Sequence, residues 1–98
     1  MPLLTRKEIA TGLGSAPGWA FRGLSIRRTF TFPSFPGAVA FVNRIAREAE
    51  KQDHHPDINI RWNKVALAFS THSEGGVTRK DLRAARRANA LFGPVRKR

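Results

Sequence analysis

The chain has 98 residues, 41% hydrophobic and 9% aromatic, which suits one domain with a single modest core and excludes a disordered segment. Lys and Arg number 18 against 7 Asp and Glu, and the net charge of +11 attracts polyanions and acidic protein surfaces while saying nothing about fold. No cysteine is present, which excludes disulfides and thiolate chemistry; no apolar run suits a signal peptide or approaches the ~18 residues of a membrane span, so a cytoplasmic location is expected.

Thr5-Arg6-Lys7-Glu8 fits a capping box, with Thr5 as N-cap and Glu8 at N3, and predicts a helix from about Arg6 to Leu13. Gly12, Gly14, Pro17 and Gly18 end it. Trp19 to Arg22 and Leu24 to Phe32 read as two strands of a hairpin. In the second, Leu24, Ile26, Arg28, Phe30 and Phe32 alternate with Ser25, Arg27, Thr29 and Thr31. Arg28 breaks the apolar face, so incomplete cover is expected there. Pro33 stops the strand, and Pro36 suits the first turn of the next helix. Ala38, Val42, Ile45, Ala46 and Ala49 form the apolar stripe of that helix through about Lys51. Phe41 falls off the stripe, either as a second core contact or as a face used for assembly, while Arg44, Arg47 and Glu48 face water.

Ile58, Ile60 and Trp62 alternate with Asp57, Asn59 and Arg61 as a half-buried strand. Lys64 to His72 is another, with Val65, Leu67 and Phe69 on one face and Ala66, Ala68, Ser70 and His72 on the other. Its small-residue face leaves room for a ligand or a second subunit. As a poor lone edge, the same strand is expected to pair with a second copy. A Gly75-Gly76 turn follows. Thr78 and Asp81 repeat the capping pattern and open a helix to about Phe92, with Leu82, Ala85, Ala88 and Phe92 inward. Gly93-Pro94 closes it, and residues 93–98 are expected to form a flexible basic tail. With no repeat and no sign of a second domain, residues 1–98 read as one α+β domain, order α-β-β-α-β-β-α, with helices packed on one face of a four-stranded antiparallel sheet.

The chemistry-bearing residues concentrate in one stretch. It holds all three histidines, His54, His55 and His72, with Glu50 and Asp53 just before the first. Histidine has an unperturbed pKa of about 6.5 and can both give and take protons near neutrality, so the cluster points to proton transfer. Zinc is the rival use. Adjacent residues on extended chain point to opposite faces, so His54 and His55 do not readily chelate one ion, and no Cys or His-x-x-x-His spacing supports them. No metal site is expected.

The order of residues adds a resemblance. The chain carries Glu-x-x-x-His-His-Pro at Glu50, His54, His55 and Pro56, then the step Trp62-Asn63-Lys64-Val65. Ser70-Thr71-His72 follows, leading into Gly75-Gly76-Val77-Thr78 and Asp81. In these motifs and their spacing it resembles the pterin-4a-carbinolamine dehydratases over roughly Leu4 to Phe92, and departs from the mammalian members at Ile58, where they place a tryptophan. The resemblance implies a dimer whose sheets join into a saddle, with helices able to pair dimers into tetramers. It implies dehydration of a 4a-hydroxytetrahydropterin to the quinonoid dihydropterin, with no cofactor. His54 and His72 would carry proton transfer, His55 would help bind the pterin, and Glu50 and Asp53 would orient or electrostatically tune the imidazoles. Pro56, Trp62 and Asp81 complete the candidate substrate site.

Structural alternatives stand beside these roles. Glu50 suits an exposed helix end, Asp53 a turn, and Pro56 a residue that holds His55 extended. Trp62 suits a core or interface aromatic, and Asp81 already has work as N3 of its helix. The family also holds catalytically idle members, a transcription-factor dimerisation cofactor and RuBisCO assembly factors, so an acidic protein partner is the second expectation. Nucleic acid ranks below it: Phe92 is the only ring near Arg79, Lys80, Arg83, Arg86 and Arg87, and base stacking needs exposed rings.

Overall fold

Each helix begins where a side chain satisfies N–H groups that the first turn leaves unpaired. In the computed structural model, which describes residues 2–93, helix α1 (Arg6–Leu13) opens at Thr5. Thr5 Oγ1 accepts from the Glu8 amide at 3.1 Å while Glu8 Oε1 accepts from the Thr5 amide at 2.8 Å. Helix α2 (Phe35–Gln52) opens at Ser34, with Pro36 in its first turn, and α3 (Arg79–Phe92) opens at Thr78 with a second reciprocal box closed by Asp81. The chain ahead of α2 contributes β1 (Ala20–Arg22) and β2 (Ser25–Thr31), and the chain after it β3 (Asp57–Arg61) and β4 (Lys64–Phe69). The four strands pair antiparallel in the order β1-β2-β4-β3, and the element order α-β-β-α-β-β-α is the expected one. Residues 94–98, most of the expected basic tail, lie outside the described residues. Among the described residues no helix is long and apolar enough to cross a membrane.

The helices bury one face of the sheet. Ile26 and Phe30 of β2 stand opposite Phe69 and Val65 of β4, and together with Leu67 they meet Ile9, Phe41, Ile45, Leu82 and Ala85 in one core. Phe30 is central, its ring 4.8 Å from Phe41, 5.0 Å from Phe92 and 6.1 Å from Trp19. Phe41 is therefore not off the stripe. It is fully buried three residues after Ala38 and four before Ile45, whereas Ala46 is exposed. The gap expected at Arg28 is filled. Its guanidinium lies 4.3 Å from the Phe30 ring centroid and donates to Asn89 Oδ1 at 2.7 Å and to the Pro17 carbonyl at 3.2 Å. Burial lowers its pKa from the ordinary arginine value.

Two strand expectations need correction. β4 is no edge: β2 occupies one side and β3 the other, so Leu67 has both Arg28 and Ile58 as neighbours. β3 is an edge, as β1 is on the other side of the sheet, and all five of its residues are exposed instead of half-buried. Ile58 and Ile60 share the core side of the sheet with Leu67 and Val65, yet each is 39% exposed because no helix reaches over the last strand. The other side of the sheet is open, with a cleft of about 600 Å³ over Ala20, Arg27, Thr29, Ala66 and Ala68.

Candidate active site

The end of α2 aims the first two histidines. Asp53 caps the helix in the left-handed conformation (φ 52°, ψ 45°), which a short polar side chain tolerates. The His54 amide then bonds back to the Ala49 carbonyl at 3.1 Å, turning the chain on itself. His54 consequently enters the molecule and stacks on Phe69, ring centroids 5.8 Å apart and planes 13° from parallel. His55 points the other way, as alternation on extended chain requires, and Pro56 holds it extended at the start of β3.

His54 and His55 have different carboxylate partners. His54 Nε2 donates to Asp81 Oδ1 at 2.6 Å, with the imidazole 10% exposed and the carboxylate fully buried. The second oxygen of Asp81 accepts from the Thr71 hydroxyl and from the Thr78 amide, both at 2.9 Å. Thr71 Oγ1 in turn takes a hydrogen bond from Thr78 Oγ1 at 2.8 Å, because its own hydrogen is committed to Asp81. Both oxygens of this buried carboxylate are hydrogen-bonded, Oδ1 once and Oδ2 twice. A carboxylate only accepts, so Nε2 carries the hydrogen and Nδ1, which has no partner among the described residues, is free to exchange a proton with a ligand. His55 Nε2 pairs with Glu50 Oε2 at 2.6 Å in the open, the two side chains 55% and 78% exposed.

The same network places His72. Thr71 is buried and bridges to Gly76 by its amide (2.7 Å), so His72 at the next position projects outward. A one-turn 3-10 helix (His72–Glu74) follows, closed by Gly75 at φ 76°, a conformation suited to glycine. The strand expected to reach His72 therefore stops at Phe69. The antiparallel pairing of Asp57 with Ala68 brings the residues before β3 and after β4 to one end of the sheet. His54, His55, His72, Glu50, Pro56 and Asp81 gather there. Asp53 is there too, but its exposed carboxylate bonds no imidazole; its contribution is the backbone turn.

Trp62 is not among them. It sits at the tip of the β3–β4 hairpin, the whole length of β3 away from Pro56, 72% exposed and with a positive φ of 55° that is rare for a bulky residue. Thr71, Thr78 and Phe69 are the supporting residues that the sequence did not assign. The available signal was Thr71 itself, a polar residue one position from His72 in a strand whose alternation turns it toward the core. Among the described residues no three His, Asp or Glu side chains converge as metal ligands.

Comparison with known proteins gives the family. Residues 2–91 match the family model described as pterin 4 alpha carbinolamine dehydratase. A relative from Mycobacteroides abscessus, which bears the pterin-4-alpha-carbinolamine dehydratase name provisionally, is 48% identical over 95% of this chain and 99% of its own length. One from Roseiflexus castenholzii, named in the same way, is 49% identical over 92% and 97%. Among solved structures, a transcriptional coactivator/pterin dehydratase from Brucella melitensis superposes with a TM-score of 0.88 at 39% identity, covering 92% of this chain and 98% of that one. A pterin dehydratase-like protein identified as a RuBisCO assembly factor in the alpha-carboxysome shares the fold, with a TM-score of 0.70 at 23% identity over 83% and 96%. With the histidine signature and this match over nearly its whole length, the chain belongs to the pterin 4 alpha carbinolamine dehydratase family.

Proposed function

We propose that the protein is a dehydratase that converts a 4a-hydroxytetrahydropterin into the quinonoid dihydropterin and water, in tetrahydropterin recycling. The observation that carries this reading is His54, held through Nε2 by the buried Asp81 carboxylate with Nδ1 left free, while His72 directly follows Thr71, a member of the same network. The C4a–O bond breaks as one imidazole delivers a proton to the departing hydroxyl, and the N5–H proton passes to the other. The electron pair left on N5 closes the C4a=N5 double bond, so the balance is one water lost. Each positioned acid or base contributes about 10²- to 10⁴-fold. His55, oriented by Glu50, supplies a polar contact to the pterin, and Pro56 fixes the backbone between them and β3.

The exposed edge strand supports a symmetric homodimer formed at β3, where Ile58 and Ile60 lack cover and the backbone groups on one side of the strand have no partner strand among the described residues. A scaffold without catalysis is the second reading, favoured by the +11 charge. Stopped-flow dehydration of synthetic 4a-hydroxytetrahydropterin separates the two: a rate well above the uncatalysed one is expected, and a rate equal to it moves the protein to the scaffold class.

A further inference from the structure

We propose that the cleft between α2 and α3, on the helical side of the molecule, docks an acidic segment of another protein. That segment would present carboxylates in register with the cations of α2, next to a leucine-sized apolar side chain. This inference does not depend on the dehydratase reading. The cleft holds about 430 Å³ and is lined by Arg44, Arg47, Lys51, Arg87, Glu48 and Leu91. Arg44, Arg47 and Lys51 follow at three- and four-residue spacing and so stand over one side of α2. None of the three makes an ion pair with another described residue. The single carboxylate in the cleft is occupied: Glu48 accepts from Arg87 Nε at 3.3 Å and Nη2 at 3.2 Å, and from the Gln52 amide.

The distribution of acidic groups sharpens the imbalance. Glu50, Asp53, Asp57, Glu74 and Asp81 lie at the histidine end of the sheet, and Glu8 is closed into its capping box. Glu48, shared between the Arg87 fork and the charge of Lys51, is the one carboxylate beside the four cations that line the cleft.

Three occupants compete. A second copy would set Arg44, Arg47 and Lys51 against like charges. Nucleic acid would gain from the phosphates but find no ring for its bases: Phe41 is fully buried, and Phe92 is engaged with Phe30, Phe32 and Phe41. A carboxylate-bearing peptide fits both features. Arg87 already grips one carboxylate in the cleft through two nitrogens, the fork geometry that guanidinium offers to this group, and Leu91 gives an apolar foothold.

The test is fluorescence anisotropy with a labelled helical peptide carrying glutamate at i, i+3 and i+7 and leucine between. A labelled poly-uridine oligonucleotide is the second probe, and sedimentation velocity reports assembly. Arg44→Gln/Arg47→Gln should bind the peptide about tenfold more weakly than the native protein, since two exposed pairs are lost. Arg22→Gln/Arg27→Gln, which removes equal charge from the open face of the sheet, should bind as the native protein does. Arg47→Gln/Lys51→Gln, at two exposed positions, repeats the test should loss of the Arg44 guanidinium over Phe41 disturb folding. Absent peptide binding, or equal loss in cleft and sheet variants, overturns the proposal. So does tighter binding of the oligonucleotide that the cleft substitutions abolish, or a cleft variant that changes the oligomeric state.

Discussion

Replacing Asp81 by Asn is the most incisive perturbation of the site, because it preserves shape while removing the charge and changing which atoms donate. The carboxylate now accepts three hydrogen bonds, one from His54 at Oδ1 and two, from Thr71 and the Thr78 amide, at Oδ2. An asparagine must turn its NH2 toward one side. Facing the Thr78 amide would set donor against donor at the start of α3, so the oxygen stays there and the NH2 faces His54. His54 Nε2 must then accept, which moves its hydrogen to Nδ1 and removes the free lone pair that the proposed reaction uses. One charge-assisted bond becomes a neutral one, and the two bonds to Oδ2 weaken. Taking 1.5–3 kcal/mol for a bond to a charged group against 0.5–1.5 for a neutral one, the loss is about 1–3 kcal/mol. At about 4–8 °C per kcal/mol for a domain of this size, Tm should fall on the order of 10 °C. The dehydration rate should fall about 10²- to 10⁴-fold at a temperature where the variant is folded. Nitrogen NMR of the His54 ring reads the tautomer directly, and stopped-flow absorbance reads the rate. A switched tautomer with an unchanged rate would refute the role assigned to Nδ1 and leave Asp81 as a helix cap alone.

His72→Ala removes an exposed side chain, so Tm should hold within about 1 °C while the dehydration rate falls by at least about tenfold. Ile58→Lys/Ile60→Lys places charge on the uncovered edge strand, and light scattering at micromolar concentration should shift from dimer to monomer; a native protein already monomeric there would defeat the β3 pairing. Gly18→Ala should cost about 1–3 kcal/mol by thermal melting, because the position has φ 91° and a Cβ would lie 2.7 Å from Arg28 Nε, prising the guanidinium from Asn89. The Arg87 fork holds the Glu48 carboxyl below its ordinary range, so its stabilisation is present above the unfolded carboxylate pKa and vanishes as pH drops through the folded value. Native protein should therefore be more stable than Glu48→Gln at neutral pH, and the difference should close below about pH 4 in paired melts.

The starts of α1 and α3 were legible to the residue because a capping box is a local contract among four positions, and both Thr5–Glu8 and Thr78–Asp81 keep it. Sheet order was not, since the same alternation describes β3 and β4 although one is the exposed edge and the other the centre; only the lie of the helices decides which apolar face is covered. Phe41 was misplaced for a related reason: a stripe drawn through Ala46 rotates the helix away from the face where the largest ring packs. The histidines were legible as a group through their spacing. Their partners were not, because His54–Asp81 spans 27 positions and is made by a chain reversal at Asp53 and a strand hairpin together. That hairpin also carries Trp62 to the far end of the sheet, although it stands close to His55 in the chain.

Asp81 serves two masters, and this bears on how the genes of this family are read. The same carboxylate that orients His54 closes the N-terminus of α3, so a lineage that abandons the chemistry still loses stability if it discards the acid. Asp at this position in a relative is thus a signature of an intact helix start and carries little information about turnover. His55 and His72 stand exposed, and the fold can lose either at small cost. On the proposed dehydratase reading, those two positions drift freely once selection for dehydration lapses, and they are where working enzymes are expected to part from relatives that keep only the shape.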